Sequence, residues 1–199
     1  MYTLNGHCLE QVASQKDLGV VVSNNLKATE HVNGPVTKAN QRIGLIRRCF
    51  TGLTNLKVRT LYGTIIRPIL EYASPAWNPH LKKDINNLEK VQKRCLRLSS
   101  TEITGFDSLE FRRKFADLCE VYKFTHNMYK TDVNKMFSFS KIQLRGHSLK
   151  LEKSYSRTSL RQHFFSNRVV DAWNGLPEAV VSAPSLPCFK KRLRSLLSS

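Results

Sequence analysis

Apolar residues recur at intervals of three and four along most of this chain, and that spacing restricts it to packed amphipathic helices. The clearest stripe comprises Val36, Ala39, Ile43, Ile46 and Phe50, which fall on one face of a helix. Further stripes predict helices at about 55–72, 85–98, 108–130, 164–173 and 185–197. The chain has 199 residues, of which 41% are hydrophobic, so it can bury a core.

Prolines set the expected boundaries of these helices. Pro35 lacks an amide hydrogen and is best tolerated in a first turn, so the first helix is expected to begin there. Residues 29–34 would then form a separate turn. Pro68 is expected to kink the second helix, and residues 73–80, which include two more prolines, predict an ordered turn.

Two segments favour extended structure over helix. Residues 17–22 (DLGVVV) are rich in β-branched side chains and predict a strand of a β-hairpin spanning 8–23, with 13–16 as its polar connection. Residues 141–161 alternate weakly in polarity and predict a loop with short strands. The predicted fold class is therefore mainly α, a helical bundle with a small N-terminal β-hairpin and a short β/loop segment near 141–161.

The charge of the chain is strongly positive throughout. There are 32 Lys and Arg residues against 15 Asp and Glu, which leaves a formal net charge of +17. Such an excess favours RNA or DNA, bound through phosphates without sequence preference, although any single charge run is more often a solvated helix face. The candidate phosphate contacts are Lys38, Arg42, Arg47, Arg48, Lys90, Lys93 and Arg94 on predicted helices, and Arg145, Lys150, Arg157 and Arg161 in the loop.

No motif for catalysis or for a cofactor is present in the sequence. It has no Asp-Asp pair or Asp-x-Asp triplet for two-metal phosphoryl transfer, and no P-loop, Gly-x-Gly-x-x-Gly or Gly-x-Ser-x-Gly pattern. Its five cysteines lack the spacing of zinc modules and are expected to be reduced and mostly buried. A Cys-His nucleophile, which only tertiary contacts could assemble, is the remaining alternative. We therefore expect no independent enzyme activity, no metal and no cofactor.

The sequence carries no sign of a membrane or secretory destination. No stretch approaches the ~20 apolar residues of a membrane helix. The first residues lack the charged lead and apolar block of a signal peptide. An intracellular location, nuclear or cytoplasmic, is expected.

Several blocks spread over nearly the whole chain carry a further pattern. In chain order they are 16–22 (KDLGVVV), 38–48 (KANQRIGLIRR), 61–62 (LY), 67–77 (RPILEYASPAW), 88–94 (LEKVQKR), 145–149 (RGHSL) and 165–177 (FSNRVVDAWNGLP). Their composition and order resemble the region that follows the catalytic palm in LINE-type, non-LTR retrotransposon reverse transcriptases, the jockey-like RNA-directed DNA polymerases.

The resemblance implies part of a polymerase. In that family the aspartates that hold the catalytic metals lie upstream, and nothing in this sequence matches them. By similarity, residues 1–27 would be the hairpin that abuts the primer, with 18–20 beside it. Residues 28–100 would form the helical thumb that grips the template–primer duplex, with Arg42, Arg47 and Arg48 facing the nucleic-acid backbone. Residues 101–199 would be a C-terminal helical region with the basic loop 141–161.

One departure from the family pattern concerns residues 101–108. The family has a longer stretch there, with an additional short helix, so this chain resembles a copy with an internal deletion. Together with a start in mid-domain, the deletion predicts a truncated or decayed copy.

Two hypotheses of function follow. The first is a catalytically incomplete fragment of a reverse transcriptase that binds RNA or DNA template–primer through basic helical surfaces, with the missing palm or another protein as a further partner. The alternative is a decayed or co-opted helical protein-interaction module with no nucleic-acid role. In both cases Arg67 and Arg168 are expected at helix ends or beside buried acids. The aromatic residues expected in the core are Tyr62, Tyr72, Trp77, Phe165 and Trp173.

Overall fold

The computed structural model of the protein describes residues 3–4, 6–8, 10–140 and 146–198. The fold is mainly helical, with a small antiparallel β-hairpin near the N-terminus, which confirms the predicted class. The chain divides into two compact units. The first comprises Met1–Ala73 and Pro79–Ile103, and the second comprises Ser74–Asn78 and Thr104–Ser199.

The first unit contains the strands and the longest helix. In chain order, the elements of the whole described chain are β1 Thr3–Leu4, β2 His7–Cys8, β3 Ser14–Asp17, β4 Val20–Ser23, α1 Thr29–Cys49, α2 Asn55–Leu61, a π-helical segment Tyr62–Ile66, α3 Arg67–Glu71, α4 Ser74–Trp77, α5 Lys82–Leu96, α6 Leu109–Thr125, a 3-10 turn Val133–Lys135, α7 Ser159–His163, α8 Phe165–Arg168, α9 Val170–Asn174, α10 Glu178–Val181 and α11 Leu186–Ser198. The buried apolar side chains of the first unit include Val32, Ala39, Ile43, Ile46, Val58, Ile66, Leu70, Leu88, Val91 and Cys95.

The β3–β4 hairpin turns at Leu18 and Gly19, inside the segment predicted as one strand. These residues have φ of 45° and 86°, and positive φ at both central residues gives a tight turn that matches the twist of the flanking strands. Tyr72 Oη donates to the Leu18 carbonyl at 3.0 Å, and a Cβ on Gly19 would lie 3.2 Å from the Tyr72 ring. The predicted strand bounds are therefore wrong, and residues 14–16, predicted as part of the connection 13–16, belong to β3.

Burial of the aromatic residues follows the prediction with one exception. Tyr62, Trp77 and Trp173 are buried, and Phe165 is partly buried against the core of the second unit. Tyr72 is mostly exposed, because it covers the hairpin turn. The prediction that Tyr72 is a core residue is wrong.

Helix α1 begins at Thr29 and not at Pro35. Thr29 Oγ1 donates to the buried Asp84 Oδ2 at 2.7 Å, which fixes the first turn of α1 to the first turn of α5. Pro35 lies inside the helix. The steric clash of its ring with the residue before it is reduced, because Gly34 has no Cβ. The separate turn predicted over 29–34 is the start of α1.

Residues 55–71 form one helical run that the π-helical segment interrupts. The Arg67 amide donates to the Tyr62 carbonyl, five residues earlier, and Pro68 enters the first turn of α3, where its missing amide hydrogen is tolerated. The irregularity expected at Pro68 is thus a π-turn just before it. Tyr62 Oη donates to Gln92 Oε1 of α5 at 2.6 Å, so this turn is tied to the core.

The core of the second unit surrounds Trp173 of α9. Tyr122 of α6 and Phe189 of α11 stack with ring centroids 4.4 Å apart, and the Phe189 and Trp173 centroids are 6.0 Å apart. The prediction of a single helix over 164–173 is wrong in its details. Phe164 has an extended backbone that separates α7 from α8, and one residue separates the end of α8 at Arg168 from the start of α9 at Val170.

Trp173 and Asn174 also hold the irregular segment 146–151. Trp173 Nε1 donates to the Leu149 carbonyl at 2.8 Å, and the Asn174 side chain bonds the backbone amide and carbonyl of Leu151 at 2.9 and 2.8 Å. Phe139 and Leu151 form an isolated antiparallel bridge where the sequence predicts short strands. Residues 141–145 of that prediction lie outside the described residues.

Helix α6 ends at Thr125, earlier than the predicted residue 130. Asn127 has a left-handed φ of 50°, and the Met128 amide donates to the Lys123 carbonyl at 2.9 Å. A left-handed residue with this bond closes a helix by satisfying its last carbonyls. The apolar pattern continues beyond the helix because Phe124 and Tyr129 pack across the turn, with centroids 4.9 Å apart.

Arg168 of α8 pairs with the buried Asp117 of α6. Its Nε and Nη2 lie 3.0 and 2.9 Å from the two carboxylate oxygens of Asp117, and Nη2 also donates to the Pro75 carbonyl at 2.7 Å. Asn78 Nδ2 donates to Asp117 at 2.9 Å. The prediction that Arg168 serves a buried acid is confirmed, and the network ties residues 74–78 to α6 and α8.

Loss of this guanidinium should destabilise the second unit strongly. Arg168→Met leaves the Asp117 carboxylate buried without its charged partner, so we expect the free energy of unfolding to fall by about 3 kcal/mol. Urea unfolding followed by tryptophan fluorescence measures the change, because Trp77 and Trp173 both belong to this unit.

Lys153→Met is the matched control. The Lys153 and Asp171 side chains form an ion pair but are 49% and 72% exposed, against 14% and 7% for Arg168 and Asp117. An exposed pair contributes less than about 1 kcal/mol. Equal losses in the two variants would contradict the buried network.

A buried histidine couples the hairpin to α1. His31 Nδ1 accepts a hydrogen bond from the Val21 amide of β4 at 3.2 Å. Burial lowers the pKa of His31 below its ordinary value of 6.5. The unfolded chain therefore takes up a proton at a higher pH than the folded chain does. The stability contributed by neutral His31 is fully present above about pH 6.5 and is lost as the pH falls below it.

We expect the hydrogen-exchange protection factor of the Val21 amide to fall when the pH is lowered from about 7.5 to about 5.5. His31→Gln keeps a hydrogen-bond acceptor but cannot titrate in this range, so its protection factor should change less. The same pH dependence in both proteins would show that another group controls the hairpin.

Candidate nucleic-acid interface

The solvent face of α1 carries basic side chains and no carboxylate after its first turn. Lys38 and Arg42 are both exposed and, four residues apart, lie on the same side of the helix. They line a shallow depression of about 790 Å³ together with Asn33, Gly34, Thr37, Gln41 and Leu45. Glu30 is the one acidic residue of α1, so no carboxylate of this helix neutralises the depression.

The solvent face of α5 is also basic. Lys90, Lys93 and Arg94 are exposed. The two acids of this helix are Asp84, which is buried against Thr29, and Glu89, which is half-buried. The exposed charge of α5 is therefore positive along its length.

The basic faces of α1 and α5 meet where the two helices pack. Arg94 Nη1 donates to Asn40 Oδ1 of α1 at 3.2 Å. Because the partner is a neutral amide, this bond positions the guanidinium without cancelling its charge. The structure therefore brings together candidate residues from two segments that lie more than forty residues apart in the sequence.

A second concave site lies at the carboxyl ends of the same two helices. It is a cleft of about 510 Å³ lined by Ile43, Gly44, Arg47, Phe50, Gly52, Leu53, Arg94, Arg97 and Leu98. Arg47 and Arg94 were candidate contacts, whereas Arg97 was missed. Its spacing from Lys90 and Arg94, seven and three residues, could have placed it on the same helix face.

The helix dipole can explain basic residues that lie near the carboxyl ends of helices. Arg47 and Arg48 lie in the last turn of α1, and Lys93 and Arg94 in the last turn of α5, where cations interact favourably with the helix dipole. That effect decays within one turn. Lys38, Arg42 and Lys90 lie further from these ends, so the helix dipole does not account for them.

The candidate residues of the second unit are arranged differently. Lys150 is half-buried, and its Nζ would lie 2.9 Å from a Cβ placed on Gly146. Arg157 is exposed, and the Arg161 guanidinium lies 5.3 Å from the centroid of Phe164. Arg145 lies outside the described residues.

The described residues offer no centre for metal chemistry. In the ranges 3–4, 6–8, 10–140 and 146–198, no three His, Cys, Asp or Glu side chains come close enough to hold a metal ion. No helix in this part of the chain is both long enough and apolar enough to cross a membrane.

The cysteines are less buried than expected. All five are free thiols, and burial raises the pKa of Cys95 and Cys119 to about 11. Cys188 is half-buried, and Cys8 and Cys49 are exposed. The prediction that the thiols are mostly buried is wrong, since two of the five meet it.

Comparison of the chain with protein-family models, with curated proteins and with solved structures found no match.

Thiol reactivity tests the placement of the cysteines. At about pH 8 the thiolate is the reactive form, so Cys8 and Cys49 should react rapidly with dithionitrobenzoate while Cys95 and Cys119 react only after unfolding. Cys49→Ser should remove one rapid equivalent from the absorbance trace, and Cys95→Ser should remove none. A rapid equivalent lost in Cys95→Ser would contradict the burial of that thiol.

Proposed function

We propose that this chain is a non-catalytic part of a LINE-type reverse transcriptase, equivalent to its thumb and C-terminal region, and that it binds RNA or DNA duplex through the basic faces of α1 and α5. Binding is electrostatic and independent of sequence. A chain that binds nucleic acid would act in the nucleus or the cytoplasm. The missing palm or another protein would be a further partner.

The observation that carries this proposal is the exposed basic surface on two packed helices, free of exposed carboxylates after Glu30. Lys38 and Arg42 on α1 and Lys90, Lys93 and Arg94 on α5 are all exposed. The helix dipole does not explain the positions of Lys38, Arg42 and Lys90. No described acid on these two helix faces pairs with any of the five basic side chains. Such a surface suits the phosphate backbone, which takes hydrogen bonds from Lys and Arg without regard to base sequence.

Contacts between the blocks that resemble the family also support the proposal. Tyr72 in the block 67–77 bonds Leu18 in the block 16–22. Trp173 in the block 165–177 bonds Leu149 in the block 145–149. Segments far apart in sequence that pack in pairs act as parts of one fold, which is what a common ancestry with the family requires.

In the proposed mechanism, the basic faces of α1 and α5 contact the phosphates of the duplex, and we call this contact the grip. The apolar stripe of each helix anchors it in the first unit, and the opposite face presents cations to phosphates. Binding releases counterions from the nucleic acid, so the affinity must fall steeply as salt rises. The sequence has no Asp-Asp pair or Asp-x-Asp triplet for two catalytic metals, so the chain would bind a duplex without extending it.

Salt dependence tests the grip. The affinity for an RNA–DNA hybrid, measured by fluorescence anisotropy, should fall linearly with salt concentration on logarithmic axes. Each phosphate contact should add about 0.9 to the steepness of that slope. Lys38→Gln with Arg42→Gln removes two contacts and should reduce that slope by about 2. Lys190→Gln with Lys191→Gln, on the exposed face of α11, removes the same charge from another surface and should reduce it less.

Three results would overturn the proposal. The first is an affinity that does not change with salt, and the second is equal slopes in the two double variants. The third is the capture of protein partners that persist after nuclease treatment with no enrichment of RNA, which would favour the interaction module. Metal-dependent primer extension by the purified chain would contradict the non-catalytic assignment.

A further inference from the structure

The cleft between the carboxyl ends of α1 and α5 combines two kinds of surface. Arg47, Arg94 and Arg97 supply guanidinium groups, and an apolar wall of Ile43, Leu53 and Leu98 lies beside the exposed aromatic ring of Phe50. None of the described residues that line it is acidic. A ligand that fits must be anionic at one end and flat or apolar at the other.

The guanidinium groups of the cleft are not needed to satisfy the last carbonyls of the two helices. Helix α5 satisfies its last carbonyls through backbone amides: Arg97 and Leu98 donate to the carbonyls of Lys93 and Cys95, both at 3.1 Å. The Phe50 amide closes α1 on the Ile46 carbonyl at 3.0 Å. In the described part of the chain, the guanidinium groups of Arg47 and Arg97 form no ion pair and donate no hydrogen bond, so both groups remain available to a ligand.

Two glycines line the cleft. A Cβ at Gly44, in the last third of α1, or at Gly52 would meet nothing within 4 Å, so open space lies beside both residues. The resulting volume of about 510 Å³ lies in the range of about 300–1,000 Å³ that small-ligand sites occupy. Because glycine is unfavourable inside a helix, Gly44 costs stability and leaves space.

We infer that this cleft binds one nucleotide, with its base against Phe50 and the apolar wall and its phosphate between the arginines. Guanidinium groups bind phosphate oxygens in pairs, and bases stack on aromatic side chains whatever their identity. The inference rests on the proposed function in this respect: the nucleotide is an unpaired one at the end of a duplex that α1 and α5 grip. A free nucleotide has the same chemistry and is the other source.

Two duplexes distinguish binding in the cleft from binding by the basic faces of α1 and α5. One is a blunt RNA–DNA hybrid, and the other is the same hybrid with a short single-stranded extension. Stacking of one unpaired base contributes enough that the wild type should bind the extended duplex about tenfold more tightly than the blunt one. The measurement is fluorescence anisotropy at fixed salt, repeated with an excess of free nucleoside monophosphate.

Gly44→Leu is the diagnostic variant. It fills the cleft, removes no charge and raises helix propensity, so it should fold, lose the tenfold preference and retain the blunt-duplex affinity. Arg97→Gln should also lose the preference. Cys49→Leu adds the same side chain to α1 outside the cleft lining and should keep it. Arg48→Gln, also outside the lining, should weaken both complexes equally.

The outcomes distinguish failure of the cleft from failure of the grip. If the blunt duplex binds with the expected salt dependence but the extension adds nothing, or if Gly44→Leu keeps the preference, the nucleotide site is disproved and the grip stands. If neither duplex binds but the free nucleotide does, and Gly44→Leu abolishes that binding, the grip fails and the site stands. If excess free nucleotide removes the preference for the extended duplex, the cleft binds nucleotide from solution. If the preference persists in excess free nucleotide, the cleft binds the unpaired nucleotide at the strand end.

Discussion

The packing of α1 against α5 is the interaction on which the basic surface depends. The Thr29–Asp84 hydrogen bond fixes the two first turns to each other, buried apolar side chains fill the contact, and Arg94 reaches Asn40 near its far end. This arrangement turns the remaining faces of both helices to solvent. It also buries Asp84, the one carboxylate that could have neutralised the first turn of α5. The packing of α1 against α5 therefore leaves mainly basic side chains on the solvent faces of both helices.

Much of the fold follows from apolar spacing, and the errors have identifiable physical causes. The stripe in α1 was correct for Ala39, Ile43 and Ile46, because buried positions in a long helix must recur with its period. It was wrong for Phe50, which follows the end of the helix and is exposed. Its start was misplaced because the sequence does not reveal that Asp84, fifty-five residues away, would hold Thr29. The hairpin turn was missed because Tyr72, a distant residue, stabilises positive φ at Leu18 against the strand preference of its neighbours. Helix α6 stopped early at a left-handed asparagine, a signal that was present in the sequence.

The candidate interface was partly predictable for the same reason. Lys38, Arg42, Lys90, Lys93 and Arg94 lie off the apolar stripes, so their exposure follows from helix geometry alone. The cleft was not predictable, because it arises where the ends of two helices and the segment at 52–53 come together in space. Arg168 looked equally cationic in the sequence, yet it is taken up by Asp117. Tertiary contacts decide which arginines are structural and which face outward.

The absence of exposed acids from the α1 and α5 faces has a consequence for the free protein. Like charges on adjacent helices repel each other, and packing holds them together against that repulsion. Dissolved ions screen it within about 10 Å at moderate ionic strength. Added salt should therefore reduce the repulsion in the unliganded first unit, while it would weaken the proposed complex with nucleic acid. In that proposal, a bound polyanion at low salt and dissolved ions at higher salt are two alternative sources of counter-charge for the same basic surface.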